Sequence, residues 1–332
     1  MNLSEKKKTR ELIGRYRVRV SMDAAPAGME LLTPDSSLKW GLCDFDFNPQ
    51  EESKEYDFWI VFGNPGKCEQ AKVAPENTLF VAGEPPSKKI YPGKYYRQFG
   101  HIVDTHRGSK HPLLKIDAPA ICWLVGLNIK KLCFEYGYNE LIKMKRPPKE
   151  NKIGVVCSSS SKTAGQRTRL RFLEKLKDQL GDQIIHFGKG FTPIDDKMQG
   201  IAPYRFQLVL ENSLSPHYWT EKLTDAYLGW AYPFYVGCPN LAEYFDDNGF
   251  VSLDINNPSK SAEQIQAALQ ENETQSEILA VEKARDQILT KYNPFSRFDR
   301  WVCEFYKDLP KDMVTIRHSK YFRLRNRLLR LH

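Results

Sequence analysis

Residues 204–237 decide the fold of this chain, and they read YRFQLVLENSLSPHYWTEKLTDAYLGWAYPFYVG. Residues 205–210 are mostly apolar and predict a buried strand, whereas 220–230 predict a helix that begins at the cap Thr220. A second apolar strand is predicted at 232–237. The polar connection ENSLSPHYW lies between the first strand and the helix. This order is typical of an α/β unit that binds ligands at the carboxyl ends of parallel strands.

The same alternation continues through the second half of the chain. Further strands and helices are predicted there, with strands at 153–158, 183–188 and 250–255 and helices at 167–180, 240–245 and 261–291. Four apolar runs in the first half predict strands of a separate sheet, and these lie at 15–22, 56–63, 78–83 and 99–104. The segments 85–98 and 107–112 are expected to be exposed loops. We therefore predict an α/β protein.

Length and composition predict more than one domain. A chain of 332 residues, of which 41% are hydrophobic and 12% aromatic, is long enough for two filled cores. The charged, proline-containing stretch KMKRPPKENK at 143–152 is the candidate linker. The predicted division is an N-terminal lobe at 1–150, a C-terminal lobe at 151–300 and a helical basic tail at 301–332.

The net charge and the cysteines limit the cellular compartments and the binding partners that are expected. Lys and Arg exceed Asp and Glu by 49 to 41, and the net charge of +8 suits an anionic partner without identifying it. The seven cysteines are scattered and form no CxxC pair, so neither a disulfide framework nor a zinc site is expected. The opening MNLSEKKKTREL is too charged for a signal peptide, and no run of 18 apolar residues occurs. We expect a cytoplasmic protein.

The last residues, TIRHSKYFRLRNRLLRLH, combine basic and apolar side chains. In a helix, one apolar face would lie among arginines; the apolar residues are Tyr321, Leu324, Leu328 and Leu331, and the arginines are Arg323, Arg325, Arg327 and Arg330. Such a helix either lies on an anionic membrane surface, here the inner face of the cell membrane, or packs on its own domain with the arginines outward.

Lys222 occupies a position where a cation is unfavourable. With Thr220 as the cap, Glu221 is the first helical residue and Lys222 the second. The acid suits the positive end of a helix, whereas the ammonium opposes the helix dipole. A bound phosphate would make the position favourable, because backbone N–H groups and the ammonium would hold it together. A solvated first turn is the alternative, although the preceding loop has more polar side chains than a turn needs.

The stretch 204–237 resembles the signature of the α1,3-fucosyltransferases, glycosyltransferase family ten. That pattern runs roughly Y-K/R-F-x-L-x-x-E-N-S/T-x-x-x-x-Y-x-T-E-K and ends in a P-x-x-x-G strand. This sequence matches it in order, in spacing and in its strand, loop and helix context. The resemblance extends over about residues 56–255. It implies the GT-B fold, in which two Rossmann-like lobes face a central cleft.

The resemblance also selects residues for a site. YDFWIVFGNP and TLFVAGEPP resemble the acceptor-lobe strand pair in which a Gly-Glu dipeptide carries the catalytic base, which selects Glu84. The two prolines after Glu84 depart from the family pattern and stiffen the exit from the strand. CSSSSKTAGQRTRLRFLEKL followed by HFGKG resembles the opening of the donor lobe and selects Arg169, with Arg167 and Arg171 nearby. The implied donor site is completed by Asn212, Tyr218, Glu221 and Lys222.

Sugar transfer from a nucleotide diphosphate needs a base for the acceptor hydroxyl and positive charge for the departing diphosphate. The resemblance implies that Glu84 is the base, that Arg169 and Lys222 neutralise the pyrophosphate without a metal or other cofactor, and that Glu221 holds ribose or sugar hydroxyls. We expect inverting transfer of L-fucose from GDP-fucose, α1,3 to N-acetylglucosamine of a glycan or lipid-linked glycan in bacterial surface polysaccharide. Another GDP-deoxysugar or another acceptor stays open.

Two further patterns are interpreted as coincidence, and one rival function is considered. DFD at 44–46 imitates the D-x-D metal motif of the other major glycosyltransferase fold but lies far from the signature. His101, His106 and His111 are spaced for neither one helix face nor one strand face.

The rival is a non-catalytic nucleotide- or nucleic-acid-binding protein, since KKIYPGKYYR at 88–97 alternates basic and aromatic residues. No nucleic-acid-binding signature accompanies it, so nucleic acid is not expected as a partner.

Overall fold

The chain divides into two compact units, each built on its own sheet. A computed structural model describes residues 14–23, 25–51, 54–66 and 68–322. The first unit comprises the residues up to Ala120 together with those from Asn293 onward, and the second comprises Ile121–Tyr292.

These boundaries differ from those predicted after residues 150 and 300. The backbone N–H groups of residues 124 and 125 donate to Asp225 of the second unit at 2.7 and 3.1 Å, so the chain joins that unit before the predicted linker. The helix Pro294–Phe305 belongs to the first unit, where Phe295 lies 5.2 Å from Phe45 between ring centroids. Apolar packing therefore attaches this helix to the N-terminal part of the chain.

A mostly parallel sheet forms the core of the first unit. Its strands are β1 (Tyr16–Met22), β2 (Lys39–Trp40), β3 (Cys43–Phe47), β4 (Phe58–Phe62), β6 (Thr78–Val81), β7 (His101–Asp104) and β8 (Leu114–Ile116), and β5 (Glu69–Val73) lies outside this sheet. The order is β2-β3-β1-β4-β6-β7-β8, and only the β2–β3 pair is antiparallel. The central β4 and β6 are almost wholly buried, as expected for strands covered on both faces. The four strands predicted here lie in one sheet, which confirms that prediction.

The segment 85–98, predicted to be an exposed loop, instead contributes to the core. It contains the short helix α1 (Gly93–Tyr96). The rings of Tyr91, Tyr95 and Tyr96 are buried and lie 4.7 to 5.6 Å from Phe80 between centroids. Four aromatic rings in contact bury more apolar surface than a solvated loop could. These rings cannot stack on nucleic-acid bases, so the rival function loses its main support.

The second unit has the predicted alternation of strands and helices. Its strands are β9 (Leu127–Asn128), β10 (Cys133–Phe134), β11 (Glu150–Val156), β12 (Ile184–Phe187), β13 (Tyr204–Leu210), β14 (Tyr232–Val236) and β15 (Val251–Ser252). Its helices are α2 (Tyr138–Lys143), α3 (Ala164–Leu180), α4 (Glu221–Leu228), α5 (Pro258–Gln270) and α6 (Gln275–Leu289). The main sheet has the order β12-β11-β13-β14-β15, and all its pairs are parallel. The predicted α/β class is therefore confirmed for both units.

The single long helix predicted at 261–291 is wrong. Two helices, α5 and α6, occupy this region and are separated by residues 271–274. Thr274 begins α6 with a capping box: its hydroxyl accepts the N–H of Glu277 at 3.2 Å, and the Glu277 carboxylate accepts the N–H of Thr274 at 2.7 Å. The predicted helix at 240–245 is only a 3-10 turn at Leu241–Glu243.

The predicted helical tail from 301 onward is contradicted at residues 306–318, whereas residues 319–322 are helical. Residues 301–305 finish helix α7 (Pro294–Phe305), and β16 (Asp312–Ile316) then pairs antiparallel with β5. The arginines and leucines predicted to face a membrane lie at 323–331, outside the described residues, and only Tyr321 of that set is described. Within the described ranges, no helix combines the length and the apolar character needed to cross a bilayer.

Candidate functional site

The loops that follow β11 and β13 meet at the carboxyl edge of the second sheet. Strand β11 pairs with β12 on one side and with β13 on the other, so the chain reverses its direction of winding between β11 and β13. Open parallel sheets bind ligands at such a point. The loops are in contact, because a Cβ added to Gly165 at the start of α3 would lie 2.1 Å from the carbonyl oxygen of Asn212.

Arg169 is a buried cation beside this point. It lies on α3, is 5% exposed, and its Nε is buried without a hydrogen-bond partner. Among the described residues it forms no ion pair. The neighbours Arg167 and Arg171 are exposed, and Arg167 donates to the carbonyl oxygen of Ser161 at 3.0 Å. The structure therefore distinguishes Arg169 from the two alternatives that the sequence left beside it.

Lys222 is held by carboxylates at the start of α4. Thr220 caps this helix as predicted, since its hydroxyl accepts the N–H of Lys222 at 3.3 Å. The Lys222 ammonium lies 3.0 Å from Glu221 and 3.4 Å from Glu211. Burial lowers the pKa of Lys222, but the two carboxylates outweigh it and raise the pKa overall. The helix-dipole argument was thus incomplete, because carboxylates already stabilise the cation.

Glu211 is a residue of this region to which the sequence analysis assigned no role. Its side chain is completely buried, and its carboxylate accepts the N–H and the hydroxyl of Thr220, both at 2.8 Å. Burial raises the pKa of Glu211, and the Lys222 ammonium only partly offsets this. The contacts tie the end of β13 to the start of α4. A polar residue at the end of a buried strand was the signal that could have identified it.

Glu221 lies between two ammonium groups. One of its oxygens is 3.0 Å from Lys222 and 3.9 Å from Lys197, and its side chain is 21% exposed. Burial raises its pKa, but Lys222 and Lys197 together lower the value to about 2. The carboxylate is therefore an ionised acceptor of hydrogen bonds that a ligand can reach. Lys197 was missed in the sequence because it lies 24 residues before Glu221 in a loop without a motif.

The two other donor candidates differ in exposure. Asn212 is exposed, whereas Tyr218 is buried. The loop between them is tied down by His217, whose N–H donates to Asn240 at 2.8 Å and whose ring nitrogen lies 2.7 Å from the hydroxyl of Tyr244. The structure thus groups Asn212, Glu221, Lys222 and Arg169 in the second unit around one sheet edge.

Glu84 belongs to the first unit, where it follows β6. Its side chain is 35% exposed and lies 2.5 Å from the ammonium of Lys88. A turn begins at Pro85, because its carbonyl accepts the N–H groups of Lys88 and Lys89 at 2.9 and 3.0 Å. The resulting turn brings Lys88 back to the carboxylate. This turn therefore places a cation beside Glu84.

The two patterns interpreted as coincidence have local structural partners. Asp44 is paired with Arg15, and Asp46 with Lys54 and with the Tyr56 hydroxyl at 2.8 Å. The three histidines have separate environments. The ring of His101 stacks on Phe305, the ring of His106 accepts the N–H of Gly108, and the ring of His111 contacts the carbonyl oxygen of Phe99. In the part of the chain that is described, no three His, Cys, Asp or Glu side chains are placed to hold a metal ion.

A known protein family matches most of the second unit and the start of the segment that follows it. The family model described as "Glycosyltransferase family 10 (fucosyltransferase) C-term" matches residues 149–313. The chain carries a glycosyltransferase family 10 domain. This confirms the resemblance first noted at residues 204–237, and the family 10 domain contains Arg169, Glu211 and the whole start of α4.

Curated relatives of the family 10 domain are fucosyltransferases. The chain is 35% identical to Alpha-(1,3)-fucosyltransferase FucT of Helicobacter pylori over 60 residues, which are 18% of this chain and 13% of that protein. It is 33% identical to Alpha-(1,3)-fucosyltransferase 4 of Bos taurus over 114 residues, which are 32% of this chain and 28% of that protein. The chain thus matches less than a third of the length of either relative.

Solved structures of fucosyltransferases are also similar to the chain. A crystal structure titled as an alpha1,3-fucosyltransferase with GDP matches it with 15% identity and a TM-score of 0.47, over 90% of this chain and 92% of that one. One titled with GDP-fucose matches with 14% identity and a TM-score of 0.45, over 89% and 93%.

Proposed function

We propose that this protein is an inverting fucosyltransferase that moves L-fucose from GDP-fucose to a hydroxyl of a glycan. The observation that carries the proposal is the buried Arg169 without an ion pair among the described residues, at the switch point of a family 10 domain. A buried cation costs free energy unless an anion neutralises it. A diphosphate bound at this edge would supply the missing charge.

The residues at the proposed donor site would have different roles. Arg169 and Lys222 hold the pyrophosphate and stabilise the negative charge that develops as GDP leaves, so that a metal ion is not required. Glu221 accepts hydrogen bonds from hydroxyls of the donor. Asn212 and Tyr218 complete the pocket around the nucleotide sugar.

Glu84 would be the general base. It accepts the proton of the acceptor hydroxyl while that oxygen forms a bond to the anomeric carbon of fucose, and the bond from that carbon to the phosphate oxygen breaks. A single displacement of this kind inverts the anomeric centre. The carboxylate is partly exposed and therefore accessible to a hydroxyl. We propose N-acetylglucosamine as the acceptor residue, through an α1,3 linkage in bacterial surface polysaccharide.

The test is a transfer assay with GDP-fucose and an array of N-acetylglucosamine-containing acceptors, with and without EDTA. We expect Glu84→Gln to lower the transfer rate by about 100-fold or more, and the exposed Glu76→Gln of the same unit to leave it unchanged. Binding of GDP by calorimetry should be the same in both variants. Other GDP-deoxysugars serve as competing donors.

Three results would count against the proposal. Tight binding of GDP-fucose without transfer or hydrolysis would contradict the enzymatic function. Loss of turnover in EDTA would contradict charge neutralisation by side chains alone. Faster transfer from another GDP-deoxysugar would replace fucose as the donor sugar.

We further propose that the protein acts in the cytoplasm at the inner face of the cell membrane, through the basic residues 323–332. A variant ending at Phe322 keeps β16 and its pairing with β5. Co-sedimentation with vesicles containing anionic lipid should fall for this variant relative to the full chain. Equal binding would mean that the tail is not the membrane anchor.

A further inference from the structure

Lys197 lies at the start of a short 3-10 turn, Lys197–Gly200, next to the proposed donor site. Its side chain is 15% exposed, and its ammonium lies 2.7 Å from Asp225 and 3.9 Å from Glu221. Lys197 is therefore a bridge between two carboxylates that are one helical turn apart on α4.

Asp225 and the residue before Lys197 are both held by contacts from outside α4. Asp225 is 1% exposed and accepts the N–H groups of residues 124 and 125 with its other oxygen. Asp196, which caps the turn before Lys197, accepts the hydroxyl of Tyr136 at 2.5 Å and the N–H of Gly126 at 3.1 Å. The ammonium is thus held by a buried network and has little freedom to move with a ligand.

The network orients Glu221 from one side. Lys197 and Lys222 both face the same oxygen of Glu221, so the carboxylate is fixed in direction and charge. Its partial exposure leaves it open to a ligand. Lys222 is the adjacent residue and a proposed phosphate contact, and in a nucleoside diphosphate the ribose is the group next to the phosphates. A carboxylate with two acceptor oxygens suits the neighbouring 2′ and 3′ hydroxyls of ribose.

We propose that Lys197 is a positioning residue that holds the Glu221 carboxylate to accept hydrogen bonds from the ribose hydroxyls of the donor nucleotide. This inference rests on the proposed function. Lys197 itself does not contact the reacting atoms; it acts through Glu221.

The test is calorimetric titration of the full-length protein with GDP, 2′-deoxy-GDP and 3′-deoxy-GDP. We expect the wild type to bind GDP about tenfold more tightly than at least one deoxy analogue, as one hydrogen bond to a charged group predicts. In Lys197→Met, the affinity for GDP should fall to the wild-type affinity for that analogue, whereas the affinity for the analogue itself should change by less than about twofold. Lys197→Arg should keep the preference, and the exposed Lys175→Met is the matched control.

The outcomes separate this inference from the proposed function. If the wild type does not bind GDP, the proposed function fails. If it binds GDP and prefers the hydroxyls, but Lys197→Met keeps that preference, only the positioning role is refuted. Equal affinity of the wild type for all three nucleotides would refute the assignment of Glu221 to the ribose. The same conclusion would follow if Lys197→Met lowered the affinity for GDP-fucose but not for GDP. Should Lys197→Met fail to fold, Lys197→Gln keeps a donor to Asp225 without the charge, and the same loss of preference is expected.

Discussion

Replacing Arg169 by Met should make the empty protein more stable and abolish its affinity for the nucleotide. Arg169 is 5% exposed, the Nε of its guanidinium is buried without a partner, and no described carboxylate forms an ion pair with it. Desolvating such a cation costs several kcal/mol, and replacement of buried charges by apolar side chains of similar size is often stabilising by about 1–4 kcal/mol. We expect the free energy of unfolding to rise by about 1–3 kcal/mol.

The same change should remove the main counter-charge for a diphosphate. Two hydrogen bonds from a guanidinium to phosphate contribute about 1.5–3 kcal/mol each, so GDP affinity should fall by about 100-fold or more. Urea unfolding followed by tryptophan fluorescence gives the stability, and calorimetry gives the affinity. Saturating GDP, at about 100 times the dissociation constant, should stabilise the wild type by about 2.7 kcal/mol and the variant by much less.

Arg171→Met is the control, because Arg171 is exposed on the same helix. It should change neither the unfolding free energy nor the GDP affinity appreciably. If Arg169→Met lost more than about 1 kcal/mol of stability and still bound GDP normally, the guanidinium would have a structural role. The interpretation of Arg169 as an anion-binding residue would then be refuted.

Three further substitutions test the ion pairs around Lys222 and the cap of helix α6. Glu211→Gln should lower the free energy of unfolding by about 2–4 kcal/mol, because an amide replaces a buried partner of Lys222, whereas the exposed Glu243→Gln should cost less than about 0.5 kcal/mol in urea unfolding. Glu221 has a folded pKa of about 2 against 4.5 when unpaired, so it stabilises the fold above pH 4.5 and loses this effect as the pH falls toward 2. When the free energy of unfolding is measured between pH 4.5 and pH 2, it should therefore fall by about 3 kcal/mol less in Glu221→Gln than in the wild type. An equal fall in both proteins would contradict the pairing of Glu221 with Lys222 and Lys197. Thr274→Ala removes the cap of α6 and should cost about 1 kcal/mol, whereas Thr290→Ala, beyond the end of that helix, should cost less; equal losses would argue against the capping box.

Local sequence patterns predicted much of the fold. The apolar runs of β4, β6 and β14 are nearly uninterrupted, and β11 and β13 end in the apolar runs IGVV and LVL, so the burial of these segments and their strand type were evident. Thr220 as the cap of α4 followed from the same local chemistry. The break between α5 and α6 was missed, although Thr274 and Glu277 have the T-x-x-E spacing of a capping box. Helical periodicity on both sides concealed that signal.

Contacts between distant residues could not be predicted in this way. The aromatic residues at 91, 95 and 96 alternate with basic ones and suggested exposure, but Phe80 on a neighbouring strand gives them a core to join. The links of Lys197 to Glu221 and of Glu211 to Lys222 depend on how loops from different strands meet. The family pattern named Arg169, Glu221 and Lys222, but only the side-chain geometry separates Arg169 from its exposed neighbours.

The antiparallel pair of β5 with β16 means that the first unit is discontinuous in the chain. Residues 69–73 leave the ribosome long before their partners at 312–316, whereas every residue of the second unit is present once Tyr292 has emerged. Domains generally fold as units during synthesis. The first unit therefore stays incomplete, with β5 lacking its partner strand, while the second unit is completed. Chaperone binding during translation is expected to concentrate on the N-terminal part of the nascent chain, and a premature stop before β16 would damage the part that was synthesised first.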